Sequence, residues 1–403
     1  MRCLWRLIRI CLLVFWNLNY GLCQPLVVAE PESTGMDSKK LAQLDSIIEC
    51  AIQNGNPPGA VLLVGHHGKI VYRKAFGLAQ VLPDKKPMTV DHLFDLASLT
   101  KPIVTASAII HLVENGQITL SDEVKKYLPE FSDYKYDSIQ PAAIAHLLTH
   151  TAGLPAYLNT NQLRQKYAPP CPDSLIMEIC RTEKRNPAGK KFQYSCPGYI
   201  LLGEIVQRVT GQSLAEYIAK NFFQPLKMQN TMFLPSDSLD FKIAATEVIN
   251  GKPLVGTVHD PLAQFMGGIS GNAGLFSTAD DLAVFIQMLL QNGTFNDTEI
   301  LSPQSVALLT QIYLPSHHAK HALGWDVDSP YASLRGSRFS KDGFGHTGYT
   351  GTSIWADRPT QTFIILLTNR VHPDDKGSVV RLRKNVADAV AEAIITPKET
   401  DDE

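Results

Sequence analysis

Several features are scarce or missing in this 403-residue sequence. There is no excess of positive charge: 37 Lys+Arg against 39 Asp+Glu leave a net charge of −2, so nothing draws the chain to the phosphates of nucleic acid. Long hydrophobic runs are absent from the N-terminal region, where the unbroken apolar stretch 10–16 is too short to cross a bilayer. No cysteine pair has C-x-x-C spacing, which argues against a structural zinc site. The phosphate-binding pattern G-x-x-x-x-G-K-[ST] and the G-x-S-x-G elbow of α/β-hydrolases are missing, and the glycines at 267–274 do not form G-x-G-x-x-G. With Gly 27 and Pro 25 near ordinary usage, collagen-like, low-complexity and wholly disordered chains are excluded. An enzyme or a binding module of about two domains' length remains.

Residues 1–9 hold Arg2, Arg6 and Arg9 and no acid, the apolar run follows, and Gly21 and Cys23 are the small residues of a cleavage site. This reads as a signal peptide over 1–23, with an uncleaved membrane anchor as the alternative. Its removal takes the net charge from −2 to −5 and places the mature chain, 24–395 plus an acidic tail at 396–403, in a periplasmic or extracellular compartment. Cys3, Cys11 and Cys23 leave with it; Cys50, Cys171, Cys180 and Cys196 stay. In an oxidising compartment Cys171 and Cys180 could bridge, but four cysteines allow three pairings, and free, partly buried thiols are equally compatible.

The stretch 36–54 places Leu41, Leu44, Ile47, Ile48, Ala51 and Ile52 on one helical face, with Asp37 as N-cap and Gly55 as stop. Segments 60–64 and 69–76 flank His66-His67-Gly68 as a hairpin, and 352–356 and 362–368 are strand-like ahead of a long helical pattern at 378–395. Between them, 102–115, 142–149, 199–210, 213–221 and 279–291 are mostly helical. Both ends of the chain therefore build a sheet lobe, about 36–90 and 320–395, around a helical lobe at about 91–319, with a cleft where they meet.

Ser98 and Lys101 stand three apart at a helix start marked by Pro102, hence on one face, at the positive end of the helix dipole. A hydroxyl beside an amine there is an activated nucleophile whose proton the lysine can accept or relay. Tyr194 lies in Tyr194-Ser195-Cys196-Pro197, on a loop ahead of a helix expected at 200–209. His346-Thr347-Gly348 enters a strand, with glycines that allow close approach of backbone to a ligand.

In this order, Ser98-x-x-Lys101, Tyr194-Ser195-Cys196 and His346-Thr347-Gly348, supported by 146–155 and 267–278, resemble the serine β-lactamase and penicillin-binding-protein superfamily in its class C and esterase-like branch. The resemblance spans about 36–395. It implies an α/β (α+β) fold of the β-lactamase/transpeptidase type, an antiparallel sheet flanked by helices with an inserted all-helical lobe. It further implies Ser98 as acyl-accepting nucleophile, Lys101 as proton partner, Tyr194 as proton shuttle, and the backbone amides of Ser98 and Tyr349 as the oxyanion hole. His346, Thr347, Gly348 and Cys196 would line the substrate site, and the chemistry needs no metal or cofactor. Expected substrates are small acyl compounds or peptidoglycan peptides, with β-lactams as acylating ligands and a carboxypeptidase or esterase as the activity.

Two positions depart from the branch. Cys196 stands where an asparagine often is and cannot supply an amide's hydrogen bonds. His346 stands where many β-lactamases have lysine, replacing a permanent charge by a group that titrates near neutral pH. Both weigh against efficient β-lactam hydrolysis, leaving weak β-lactamase activity as one alternative; a fold kept as a silent scaffold or binding module is the other. Further patterns are weaker. His146 and His150 lack the glutamate of H-E-x-x-H, His317, His318 and His321 fall in a polar loop, and His259-Asp260 suits loop fixing better than a Ser-His-Asp triad. Asn292-Gly293-Thr294 and Asn296-Asp297-Thr298 are glycosylation sequons.

Overall fold

The computed structural model describes residues 26–132, 141–184, 186–315, 320–327 and 333–395. The expected signal peptide, the expected acidic tail, and His317 and His318 lie outside them.

Six strands form the main sheet: β1 (Gly59–His66), β2 (Lys69–Gln80), β3 (Lys86–Pro87), β4 (Phe344–Thr347), β5 (Ser353–Asp357) and β6 (Thr362–Thr368), in the antiparallel order β4-β5-β6-β1-β2-β3. The join between the two ends of the chain is the ladder of β1 with β6, which pairs Ala60 with Thr368 and His66 with Thr362. Alternation then sorts the side chains. Leu62, Val64, Ile364 and Leu366 face helices α1 (Gln43–Gln53) and α6 (Val380–Ala393), whereas Val61, Leu63, Ile365 and Leu367 join the core that includes α5 (Ala279–Leu290). Because both faces are covered, every residue of β1 and β6 is buried, which explains why these strands read as continuous apolar runs instead of alternating ones.

The helix expected at 36–54 is two pieces, Ser38–Leu41 and α1, and Asp37 caps the first by accepting from the amides of Lys39 and Lys40. The intervening segment is chiefly helical, with α2 (Ser107–Glu114), α3 (Pro172–Arg181) and α4 (Cys196–Thr210). It is not purely so: Phe94–Asp95, Leu275–Ser277 and Met232–Phe233 form a small sheet beside the cleft.

Two local corrections bear on the site. The helix after Tyr194 begins at Cys196, with Ser195 as N-cap and Pro197 inside the first turn, where a missing amide hydrogen costs nothing. The stretch after Ser98 is a 3-10 turn (Ala97–Leu99) followed by a π-helical turn (Lys101–Ala106), and the Ser107 hydroxyl donates to Pro102 O five residues back at 2.9 Å. Such widened turns gather at functional sites. Cys171 and Cys180 are free thiols, as are Cys50 and Cys196. Cys171 is the N-cap of the ten-residue α3 and Cys180 lies within it, and nine helical steps separate them by about 13 Å, beyond any disulfide.

Gly271 locks the small loop 270–274 against α4: a Cβ there would lie 1.9 Å from Tyr199 O and 3.1 Å from Gly203 N. We expect Gly271→Ala to lower unfolding stability by roughly 1–3 kcal/mol. Chemical denaturation measures this, and an unchanged midpoint would show that the loop has room.

Candidate active site

The run from His92 to Ile110 is buried except at Ser98, so the chain packs everything around that hydroxyl and leaves it open. Ala97, just before it, has φ +46°, a left-handed conformation that is costly for a residue with a Cβ. Asp95 holds it: Oδ1 accepts from Ala97 N at 2.8 Å and Oδ2 from His259 N at 2.7 Å. The oxygen of this turn is presented to a cavity of about 750 Å³ lined by Ser98, Tyr194, His346, Thr347, Gly348 and Tyr349, among others.

Lys101 is fully buried, and its Nζ donates to Ser98 Oγ at 3.0 Å and to the backbone carbonyl of Asn272 at 2.9 Å. Tyr194 lies across the same pair, its ring centroid 5.0 Å from Nζ and its hydroxyl influenced by both Ser98 and Lys101. The three side chains thus meet. Burial pushes the Lys101 amine down, but Cys196, Tyr194 and Asp260 pull it up, to about 12. Burial raises the Tyr194 hydroxyl, against the opposing pull of Lys101 and the Ser98 hydrogen bond. At neutral pH the pair is therefore an ammonium and a phenol. Loss of one proton from the pair would leave a base beside Ser98 Oγ.

Cys196 is buried beside Lys101 and Asn272. Its thiol replaces the amide but leaves the ammonium satisfied, because Asn272 O supplies the acceptor. Asn272 is itself held, its Nδ2 donating to Asp260 Oδ1 at 3.0 Å, and the Tyr157 hydroxyl donates to Asp260 Oδ2 at 3.0 Å. Asp260 so serves as a relayed counter-charge to Lys101.

The loop after β4 is knitted to the serine turn. Thr350 Oγ1 donates to Asp95 O at 2.6 Å and Thr352 Oγ1 to Leu96 O at 3.1 Å. Gly348 is required there, since a Cβ would fall 2.3 Å from Leu96 O. Tyr349 is anchored by its hydroxyl on Asp375 at 2.7 Å, beneath the Arg370 guanidinium at 4.6 Å.

His346 does not titrate near neutral pH as its sequence position suggested. Burial, then Lys101 and His321, push it down to about 3. Its Nδ1 lies 2.9 Å from Thr347 O, which fixes the hydrogen on Nδ1 and leaves Nε2 as an acceptor. Arg383 and Arg370 both line the cleft, Arg370 being paired with Asp375 Oδ1 at 2.9 Å. Arg383, on α6, donates through Nη2 to Gly348 O at 3.3 Å and Thr352 O at 2.9 Å; its buried Nε has no partner. No carboxylate pairs with it among the described residues. Burial and Arg370 lower it to about 10, still a cation at neutral pH.

His321 was placed in a solvated loop by its sequence, yet it is buried and lines the cleft. His259 is not brought to Ser98; its ring faces Glu247, 3.2 Å away, and stacks on Tyr349. His146 accepts from Ala143 N at the start of its own helix. Asp95, Asp260, Asn272, Arg383 and His321 were not picked out as site residues from sequence. The 267–278 segment points to Asn272, and the loop-fixing reading of Asp260 agrees with its bonds to Asn272, Tyr157 and Ala263.

A Ser–Lys–Tyr cluster with its lysine buried and its serine opening on a cleft at the sheet edge is the arrangement of β-lactamase-related serine hydrolases. The Beta-lactamase family pattern matches residues 44–388, and the chain belongs to that family. It is 33% identical over 377 residues to an Escherichia coli (strain K12) protein provisionally named D-alanyl-D-alanine carboxypeptidase, covering 86% of each chain. It is also 33% identical over 383 residues to the Bacillus subtilis (strain 168) N-acetylmuramyl-L-alanine amidase, covering 87% of this chain and 86% of that one. Among solved structures, EstCE1, a hydrolase with promiscuous acyltransferase activity, superposes with TM-score 0.72 at 25% identity, covering 88% of this chain and 99% of that one.

Because the active base forms only when the Lys101–Tyr194 pair loses a proton, reaction of Ser98 with a fluorophosphonate is expected to accelerate between about pH 6 and about pH 10, by up to about tenfold per unit. His346 adds no inflection near neutrality. A flat profile, or one falling with pH, contradicts the assignment of the pair.

Proposed function

We propose that this chain is an exported serine hydrolase that works through an acyl-Ser98 intermediate and prefers substrates with a carboxylate beyond the scissile bond, such as a D-alanyl-D-alanine-like peptide. The observation that carries the reading is the 3.0 Å contact of Lys101 Nζ with Ser98 Oγ under the Tyr194 ring. Ser98 Oγ attacks the substrate carbonyl while its proton passes to the deprotonated Tyr194–Lys101 pair. The carbonyl oxygen becomes an oxyanion between the amides of Ser98 and Tyr349. Collapse breaks the acyl–nitrogen bond, and the leaving amine takes the proton from the pair. Water then repeats the sequence on the acyl-enzyme, giving up a proton to the pair and releasing the acid while Ser98 recovers its own.

Support for a carboxylate comes chiefly from Arg383, which lines the cleft beside Gly348 and Thr352, with Arg370, already paired with Asp375, lining it as well. Neutral His346 offers an acceptor and leaves the charge recognition to the guanidiniums. The carboxypeptidase name of the Escherichia coli relative is consistent with this. Export rests on the N-terminal segment 1–23.

Intact mass after exposure to a fluorophosphonate or a penicillin tests the nucleophile: wild type gains one adduct and Ser98→Ala none. Absence of any adduct on wild type would favour a binding module. For the carboxylate, hydrolysis of a D-Ala-D-Ala peptide should exceed that of its C-terminal amide by about tenfold or more in kcat/KM. Equal turnover of the two would remove the guanidiniums from recognition.

A further inference from the structure

Tyr194 is held from both sides by one residue that takes no part in the chemistry above. Gln193 N donates to the backbone carbonyl of His150 at 2.8 Å, and Ser195 N donates to His150 Nδ1 at 3.0 Å. The amides immediately before and after Tyr194 thus end on the same histidine. Its ring also lies 4.5 Å from the Tyr194 ring and 4.9 Å from that of Tyr199, each at 34°.

His150 occupies this place at a cost. It follows the helix Ile144–Leu148 with φ +57°, a position after a helix end that favours glycine or asparagine. It is 2% exposed. Since Nδ1 accepts, the hydrogen of the neutral ring sits on Nε2, and that buried group has no partner among the described residues. Left-handed backbone and an orphaned donor each cost free energy. A glycine would avoid both while losing the Ser195 bond and the ring contact. Burial, with His321, Lys101 and His346 nearby, holds the ring well below its ordinary pKa, so the accepting form persists.

We infer that His150 is the positioning residue for Tyr194: its Nδ1 and its backbone carbonyl fix the loop 193–195 so that the phenol meets Ser98 and Lys101. This rests on the role proposed above for Tyr194.

The test compares wild type with His150→Phe, which keeps a ring and removes the acceptor, and His150→Asn, whose Oδ1 replaces Nδ1 and which tolerates the left-handed backbone. Two readouts are taken. Amide hydrogen exchange should show Ser195 protected in wild type and His150→Asn and exposed in His150→Phe. Gln193, bonded to a backbone carbonyl, stays protected in all three. The rate of Ser98 acylation by a fluorophosphonate should fall on the order of 10- to 100-fold in His150→Phe, with His150→Asn regaining at least about tenfold of the loss.

If His150→Phe does not fold, His150→Ala takes its place. Equal Ser195 exchange in all variants overturns the inference. So does wild-type acylation by a variant whose Ser195 amide is exposed. If wild type is not acylated, the catalytic reading fails by itself, and the exchange data still decide whether His150 holds the loop.

Discussion

A lysine ammonium with no direct carboxylate partner among the described residues sits wholly inside this protein, and the surrounding structure is organised to keep it there. Taking such a charge from water costs several kcal/mol. Lys101 is compensated by Ser98 Oγ, Asn272 O, the faces of Tyr194 and Tyr199 at 5.0 and 5.9 Å, and the relayed charge of Asp260. These groups come from three regions of the chain: the serine turn itself, the loop and helix around 194–199, and the segment 260–272. The small sheet, the left-handed turn at Ala97, the glycine contact at 271 and the cap at Ser195 all serve to bring them together. None of these partners is a strong base at neutral pH, so the site rests protonated, and the pair Lys101–Tyr194 shares the proton whose departure would switch it on.

What could be read beforehand follows from how each residue acts. Ser98, Lys101 and Tyr194 meet through their own side chains at fixed motif positions, and so they are legible. The sheet ends were legible too, because β1 and β6 are buried on both faces and show as apolar runs. Asn272 contributes a backbone carbonyl to Lys101, and any residue type has one. Asp95 and Asp260 act on backbone amides or across long separations, which local spacing does not encode. His150 was noticed for a metal-like spacing with His146, and only the fold shows that it faces the tyrosine loop. His321 was misjudged because its polar neighbours suggested solvent.

The two departures from the family pattern have different consequences. Cys196 removes an amide but leaves the ammonium satisfied, so the catalytic reading does not depend on it. His346 changes the cleft more: it is a neutral acceptor and not a second cation. Arg383, on α6, lines the cleft from a helix that also packs against the main sheet.

The β1–β6 ladder links positions near the start and near the finish of the chain, as the pairing of Ala60 with Thr368 illustrates. Contacts this distant in sequence close slowly, since the intervening loop must lose its freedom first. On a ribosome the central ladder cannot zip until β6 has emerged, and the guanidinium of Arg383 arrives later still. A partly made chain therefore has no working cleft. A polypeptide whose heart closes last is also one that can be threaded through a translocation channel before it becomes rigid.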